Sequence, residues 1–465
     1  MTRDKKSLTL PEALGAYAAL DAARFHMPGH KGRSLSWPFE MAQWDVTELT
    51  GTDNLQMPEG PILAAEQAWA QACGAKHSFL SVNGSTQCIV AMLLSLGPNK
   101  HVLVGRDCHK SVSAGLAMAG HGVSFVYPEF DGALNGVVSA SAVEAALKER
   151  KADAVLITSP NFYGLCADVR AIARVAHENG ALLFVDSAHG AHFPFSPLLP
   201  DFPSACVDLW CASAHKTLSA LTQAAVLHLG VSCPIAEHDV RRAISLTQTT
   251  SPSYLLMASL DWALFSARHA DYPSHLKRVE ALVKRLKKLN GVSVYGKEII
   301  GRAGIYDIDP TRLVLDVSER GIDGRAAALS MEAMRVVPEM ADARNVVFIT
   351  AAPDKDEWYD MLFEAANALP YGSRALRPSR MPAVKHEAAL GVREAVLART
   401  ELVPIEACWG RVAAQAAGTY PPGVAAVFPG ERVAKEDIGY LMAQRELGIP
   451  LFGAAEGRLC VVKEG

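Results

Sequence analysis

The sequence predicts an α/β protein: a large domain on a mostly parallel, seven-stranded sheet, with an N-terminal arm and smaller α+β C-terminal domains. Three observations predict it. From Gly60 to about Thr250, short apolar runs alternate with helical stretches. The runs are continuously apolar, as strands buried on both faces of a parallel sheet must be. Two of them end on chemistry-bearing residues, Asp186 and the tetrad Ser213-Ala214-His215-Lys216, and open α/β sheets bind ligands at the C-terminal ends of their strands.

Residues 1–60 form the arm, with a short helix expected over Pro11–Ala23 and then a Pro- and Gly-dense stretch unsuited to an independent core. Residues 61–270 form the large domain. Its strands are expected over His77–Val82, His101–Gly105, Val123–Tyr127, Ala154–Ser159, Ala181–Asp186, Val207–Cys211 and Ala224–Leu229. Helices are expected between them over Thr86–Leu96, Ser141–Arg150 and Val169–Asn179, and another from Pro252 through Ala270. The basic amphipathic stretch His275–Leu289 reads as a connecting helix with a solvated Lys/Arg face. It opens a small α+β domain, residues 271–375, with strands over Val292–Tyr295, Arg312–Leu315 and Asn345–Thr350 and helices over Gly324–Met334 and Asp356–Leu369. A C-terminal domain, 376–465, contains the rigid turns Thr419-Tyr420-Pro421-Pro422-Gly423 and Phe428-Pro429-Gly430-Glu431.

Composition narrows the function classes. A length of 465 residues predicts two or three domains, and half of them are apolar, which is ordinary for a globular protein. The formal net charge of −4 gives no footing for nucleic acid or an anionic membrane. Nine scattered cysteines without a CxxC pair read as reduced, buried thiols of a cytoplasmic protein. Neither a signal peptide nor a membrane span is expected.

The two strand ends carry the chemistry. Asp186 and Lys216, thirty positions apart, suit pyridoxal 5′-phosphate (PLP), whose aldehyde needs an amine and whose ring nitrogen needs a carboxylate. Burial among apolar strands would lower the lysine pKa toward a reactive, neutral amine. Asn83-Gly84-Ser85-Thr86-Gln87 sits between a strand and a helix, where backbone N–H groups and hydroxyls hold a phosphate. Ser213 and His215 would reach the same phosphate, His109 would lie flat on the ring, and His189 would approach its phenolic oxygen. His189 and His192 have a metal-like spacing, but no Cys or carboxylate cluster completes a site, so no metal is expected.

These residues, with Phe25-His26-Met27-Pro28-Gly29-His30-Lys31-Gly32, Asp107-Cys108-His109-Lys110-Ser111, Asp186-Ser187-Ala188-His189 and the late Tyr420-Pro421-Pro422-Gly423, match a known pattern. The chain resembles the Orn/Lys/Arg decarboxylases, fold-type I PLP enzymes of the aspartate-aminotransferase superfamily, in the short form without a wing domain. The resemblance implies Lys216 as the cofactor-bonding lysine, Asp186 as ring-nitrogen partner, His109 stacked on the ring, and Ser85, Thr86, Ser213 and His215 at the phosphate. It also implies a homo-oligomer, at least a dimer with its active site between subunits. The implied reaction is α-decarboxylation of arginine, lysine or ornithine to an amine and CO2, in polyamine biosynthesis, with His215 or Lys216 returning the proton to Cα. Where the family often has a histidine this chain has Gln56, which weakens the match near the arm.

A cationic substrate side chain needs a carboxylate; Glu339, Asp342 and Glu431 are candidates in the C-terminal half and Glu48 is one on the arm. One rival keeps the cofactor and changes the reaction: an aminotransferase or other PLP lyase, with Arg374, Arg377 or Arg380 holding the substrate α-carboxylate. A second rival is a PLP-retaining regulatory paralogue without turnover.

Overall fold

Runs such as Ala154-Val155-Leu156-Ile157 are apolar at every position because both faces of their strand are covered. The computed structural model describes residues 22–25, 48, 53–131, 135–373, 382 and 384–464. Seven strands form the main sheet: β1 (His77–Ser81), β2 (His101–Gly105), β3 (Gly122–Val126), β4 (Ala154–Thr158), β5 (Leu182–Asp186), β6 (Leu209–Ala212) and β7 (Ala225–Leu229). Their order is β1-β7-β6-β5-β4-β2-β3. β3, β2, β4, β5 and β6 run parallel, while β7 is antiparallel to both its neighbours.

Alternate residues of each strand enter different cores. Leu156, Phe184 and Leu209 pack on one face with Phe79, Leu93 and Leu116. Val155, Ile157, Leu183 and Trp210 pack on the other with Trp69, Ile172 and Leu260. A fully enclosed large side chain such as Trp69 or Phe184 contributes about 1.5–3 kcal/mol by leaving water. The helices between the strands are Gly84–Ser95, Ser111–Ala119, Ala140–Glu149 and Val169–Glu178. Two longer ones, Tyr254–His269 and Tyr272–Leu286, follow the sheet.

A second sheet joins Ser293–Val294, Arg312–Asp316, Asn345–Ile349 and Met340–Ala341, all antiparallel. Its core holds Leu313, Leu315, Phe348, Trp358 and also Phe25. Phe25 belongs to a strand, Ala23–Phe25, that runs parallel to Val336–Pro338, and its ring meets Phe348 edge-on at 5.7 Å. Ala23 is therefore extended, and Ala22 is not helical either, unlike what the sequence suggested; residues 11–21 of the expected helix and most of the arm lie outside the described residues, as do Arg374, Arg377 and Arg380. The last core gathers Ile405, Leu441, Leu459 and Val461 around a hairpin, Ala417–Thr419 with Val424–Val427, and helix Lys435–Glu446.

Candidate active site

β5 ends on Asp186, and its parallel neighbour β6 hands over to Ser213 and a one-turn helix, Ala214–Thr217, that carries His215 and Lys216. Asp186, His189, His215, Lys216, His109, Ser85 and Thr86 all line one cavity of about 560 Å³. Ser213 joins them by donating from Oγ to Ser85 Oγ at 3.0 Å. Asp186 Oδ1 accepts from the Ala188 N–H (3.1 Å) and from the Cys211 thiol (3.5 Å). All eight residues singled out in the sequence thus meet at the carboxyl end of the sheet.

Lys216 stands 3.0 Å from His189 Nε2, and His189 Nδ1 stands 3.1 Å from Nη2 of the buried Arg312. Desolvation lowers the Lys216 pKa below the usual lysine range, opposed by Asp186 and Glu339 and assisted by Arg312. Desolvation, then the Lys216 and Arg312 charges, hold His189 well below the ordinary histidine range, so its ring is neutral. Arg312 had no motif to betray it in the sequence. It opens a strand of the second sheet, and only the fold lays it against a histidine 123 positions away.

The helix Gly84–Ser95 aims its first turn at the cavity. Its N-cap residue Asn83 makes no capping bond with its side chain, so the first-turn N–H groups beyond Gly84 and the Ser85 and Thr86 hydroxyls remain to serve an anion. Gly84 has φ +71°, and its N–H donates to the carbonyl of Gln223, which itself holds φ +80°. Strain of this kind in a non-glycine residue is common beside ligands.

His109 lies after β2, bridged to Val424 of the C-terminal hairpin. Its Nδ1 accepts the Ser111 N–H at 3.2 Å and lies 2.8 Å from Ser111 Oγ. Burial pushes its pKa down to about 4, which Asp186 opposes, so the ring is neutral at pH 7. A Cβ on Gly423 would sit 3.0 Å from His109 Cδ2; with φ +84°, glycine alone lets the Pro421-Pro422-Gly423 turn close on that ring.

Of the acid candidates, Glu339 and Asp342 line the cavity. Asp342 is heavily engaged: it accepts from Tyr163 Oη (2.7 Å), the Asn345 side chain (2.9 Å) and the Arg344 and Asn345 N–H groups. Glu431 is instead buried against Arg106 in a bidentate pair (2.7 and 2.8 Å), and Glu48 is exposed outside the lining. His192 turns away from His189 to Asp309 and Thr311, each at 3.2 Å. Sequence reasoning also passed over Tyr127, Phe162, Tyr163, Tyr440 and Gln444. Phe162 and Tyr163 follow β4, so their position beyond a strand's carboxyl end was the available signal.

The polar walls fit a flat, charged ligand. Thr158 Oγ1 and both oxygens of Asp107 are buried in them without a hydrogen-bond partner among the described residues. Desolvation pushes Asp107 up to about 7, with Asp186 adding to the shift. An α/β fold with a lysine, a carboxylate and an anion-binding helix start on one cavity defines a PLP enzyme of fold-type I.

The comparisons agree. Residues 9–357 match the family model described as Orn/Lys/Arg decarboxylase, major domain, and residues 373–453 match that family's C-terminal domain. The chain belongs to the Orn/Lys/Arg decarboxylase family. It is 30% identical to arginine decarboxylase of Bacillus subtilis over 97% of this chain and 96% of that one. It is 31% identical to arginine decarboxylase of Halalkalibacterium halodurans, with the same coverage. Its structure is similar to the constitutive lysine decarboxylase of E. coli (TM-score 0.74, 19% identity, 97% of this chain and 81% of that one). It is likewise similar to lysine decarboxylase A of Pseudomonas aeruginosa (TM-score 0.75, 20% identity, covering 97% and 80%). The cofactor is PLP, and the reaction is α-decarboxylation of a basic amino acid, which sets aside the aminotransferase and regulatory readings. No helix among the described residues is long and apolar enough to cross a membrane.

Proposed function

We propose that the substrate is arginine and that Lys216 bonds the cofactor aldehyde. The observation that carries the lysine assignment is its contact with a neutral His189, 3.0 Å away, in the cavity that Asp186 shares. The choice of arginine is supported by full-length relatives that bear that activity. When bound, PLP supplies the aldehyde and a protonated ring that accepts the electron pair left at Cα as CO2 departs. Asp186 has its described donors on Oδ1, so Oδ2 is the oxygen to hold the ring N–H. Ser85, Thr86, Ser213 and the helix start hold the phosphate, with His215 beside them, and the neutral His109 covers the ring face.

Positioning does the rest. The walls must hold the Cα–CO2⁻ bond upright to the ring and exclude water, which is worth several kcal/mol. His215 donates from Nδ1 to the Ala224 carbonyl at 3.2 Å, so the proton it can take or return sits on Nε2. His215 or Lys216 returns the proton to Cα. Glu339, with Asp342 on the same wall, receives the guanidinium. The arm, the large domain, the small domain and the C-terminal domain divide near residues 60, 270 and 375, a scheme supported by the separate cores of the second sheet and of the C-terminal part. A homo-oligomer and a cytoplasmic location complete the reading; nine unpaired cysteines, seven of them buried, are consistent with the latter.

CO2 release from arginine, lysine and ornithine, one at a time, tests it. Agmatine from arginine with a kcat/KM at least about tenfold above the others is expected, a gap of 1.4 kcal/mol in transition-state binding. A preference for lysine or ornithine would overturn the substrate choice.

A further inference from the structure

We infer that Arg312 is a positioning residue that keeps Lys216 an uncharged amine, acting through His189. A guanidinium carries only N–H donors and does not lose its charge in proteins. Its Nη2 is 3.1 Å from His189 Nδ1, so Nδ1 must be the accepting nitrogen. A neutral imidazole then has its single proton on Nε2, and that N–H points at Lys216 Nζ, 3.0 Å away. Nζ can accept it only with a free electron pair. An ammonium there would face an N–H head-on, so the chain from Arg312 selects the neutral form.

The arrangement is costly as architecture. Arg312 is 1% exposed, and its Nε and Nη1 are buried without partners among the described residues. Asp309 and Glu339 place negative charge near it, but a cation so deeply buried, close to a lysine, is still poorly explained by stability, since replacing buried charges with apolar groups is often neutral or stabilising. Gly164 makes room for it: at φ +79°, a Cβ there would lie 2.6 Å from Arg312 Cβ. The charged and titratable groups around Lys216 are Asp186, Glu339, Arg312, Cys211 and His189, with His109 and His215 acting on His189. Asp186 and Glu339 favour the ammonium, so a neutral amine needs an opposing device, and the donor chain is one.

The meaning of the inference rests on Lys216 bonding the cofactor, but its test does not. The full chain is freed of cofactor with hydroxylamine, and acetylation of Lys216 by acetyl-N-hydroxysuccinimide is followed by peptide mass spectrometry from pH 6 to 10, with exposed Lys151 as internal control. Lys216 in the unaltered protein is expected to have its midpoint below that of Lys151. Arg312→Met should raise the midpoint by about one pH unit or more, a tenfold fall in the neutral fraction at pH 7. His189→Phe should do the same, and Arg312→Met should add nothing in its background. Superimposed curves for the unaltered protein and either single variant would overturn the inference. Additive shifts in the double variant would also overturn it, since the arginine would then act by its field alone. Should Arg312→Met fail to fold, an unmoved midpoint in His189→Phe still refutes the relay. A retained visible band in Lys216→Ala would sink the cofactor assignment and leave these titrations intact.

Discussion

At the scale of residues, the neutral rings around the site have a pH consequence. His109 is held at about 4 by burial, against about 6.5 in the unfolded chain. Between those values the unfolded chain binds more protons than the folded one, so stability rises with pH across that window. The cofactor-free protein should lose stability as pH falls from about 6.5 toward 4, and His109→Phe should flatten that loss. Melting curves over this range check it; an identical slope in the variant would contradict the burial argument. Glu339→Gln should raise KM for arginine about tenfold with kcat changed less, since a positioning charge is lost and not the reacting amine. Steady-state kinetics decide it; an unchanged KM would remove Glu339 from the pocket's account. Lys216, Asp186 and the Ser85-Thr86 pair could be singled out from sequence because each ends or follows a strand, where open α/β sheets gather ligand groups. Arg312 acquires meaning only from packing across elements, and Glu339 could be named among the acids but not told apart from Glu431. Glu431 misled for the same reason: its partner Arg106 lies 325 positions away and nothing local announces the pair.

At the scale of elements, two joints hold the cavity open. Arg106 leaves the end of β2 and binds Glu431 and the Ala426 carbonyl, with His386 and Asp437 continuing the buried polar chain by a 2.8 Å contact. This chain fixes the hairpin that closes on His109. Glu431→Gln leaves a buried guanidinium short of its counter-charge and should cost about 3–5 kcal/mol in denaturant unfolding. A loss under 1 kcal/mol would mean the two parts are held by their apolar contacts alone. The second joint is the turn into helix Gly84–Ser95. A Cβ at Gly84 would meet nothing within 4 Å, so Gly84→Ala tests the φ +71° conformation by itself. It should cost about 1–2 kcal/mol and weaken cofactor retention, read by melting and by equilibrium dialysis. The strands of the main sheet were legible to within one or two residues, because continuous apolar runs bounded by polar ends leave little choice. Most helix starts fell equally close, with Val169, Gly324 and Asp356 matching outright. The sequence suggested Thr86 as the first helical residue, whereas Gly84 already adopts the turn, a choice made by the Gln223 carbonyl from a distant loop.

At the scale of the whole molecule, two sheets and the C-terminal part meet at one cavity. The main sheet leads to Asp186 and Lys216, the residues flanking a strand of the second sheet provide Glu339 and Asp342, with Arg312 behind His189, and the C-terminal part provides Tyr420, Tyr440 and Gln444. That division explains what the sequence showed. The residues proposed for the cofactor end or follow strands of the main sheet and could be singled out from sequence; those proposed for the substrate come from several regions and could not be told apart.

The central claim is that Lys216 is the amine joined to the cofactor. The most direct measurement is the visible absorption spectrum of purified Lys216→Ala beside that of the unaltered protein, with circular dichroism to verify the fold. The account predicts that the lysine-bound cofactor band disappears while the fold is retained. The same band, undiminished in the variant, would contradict it.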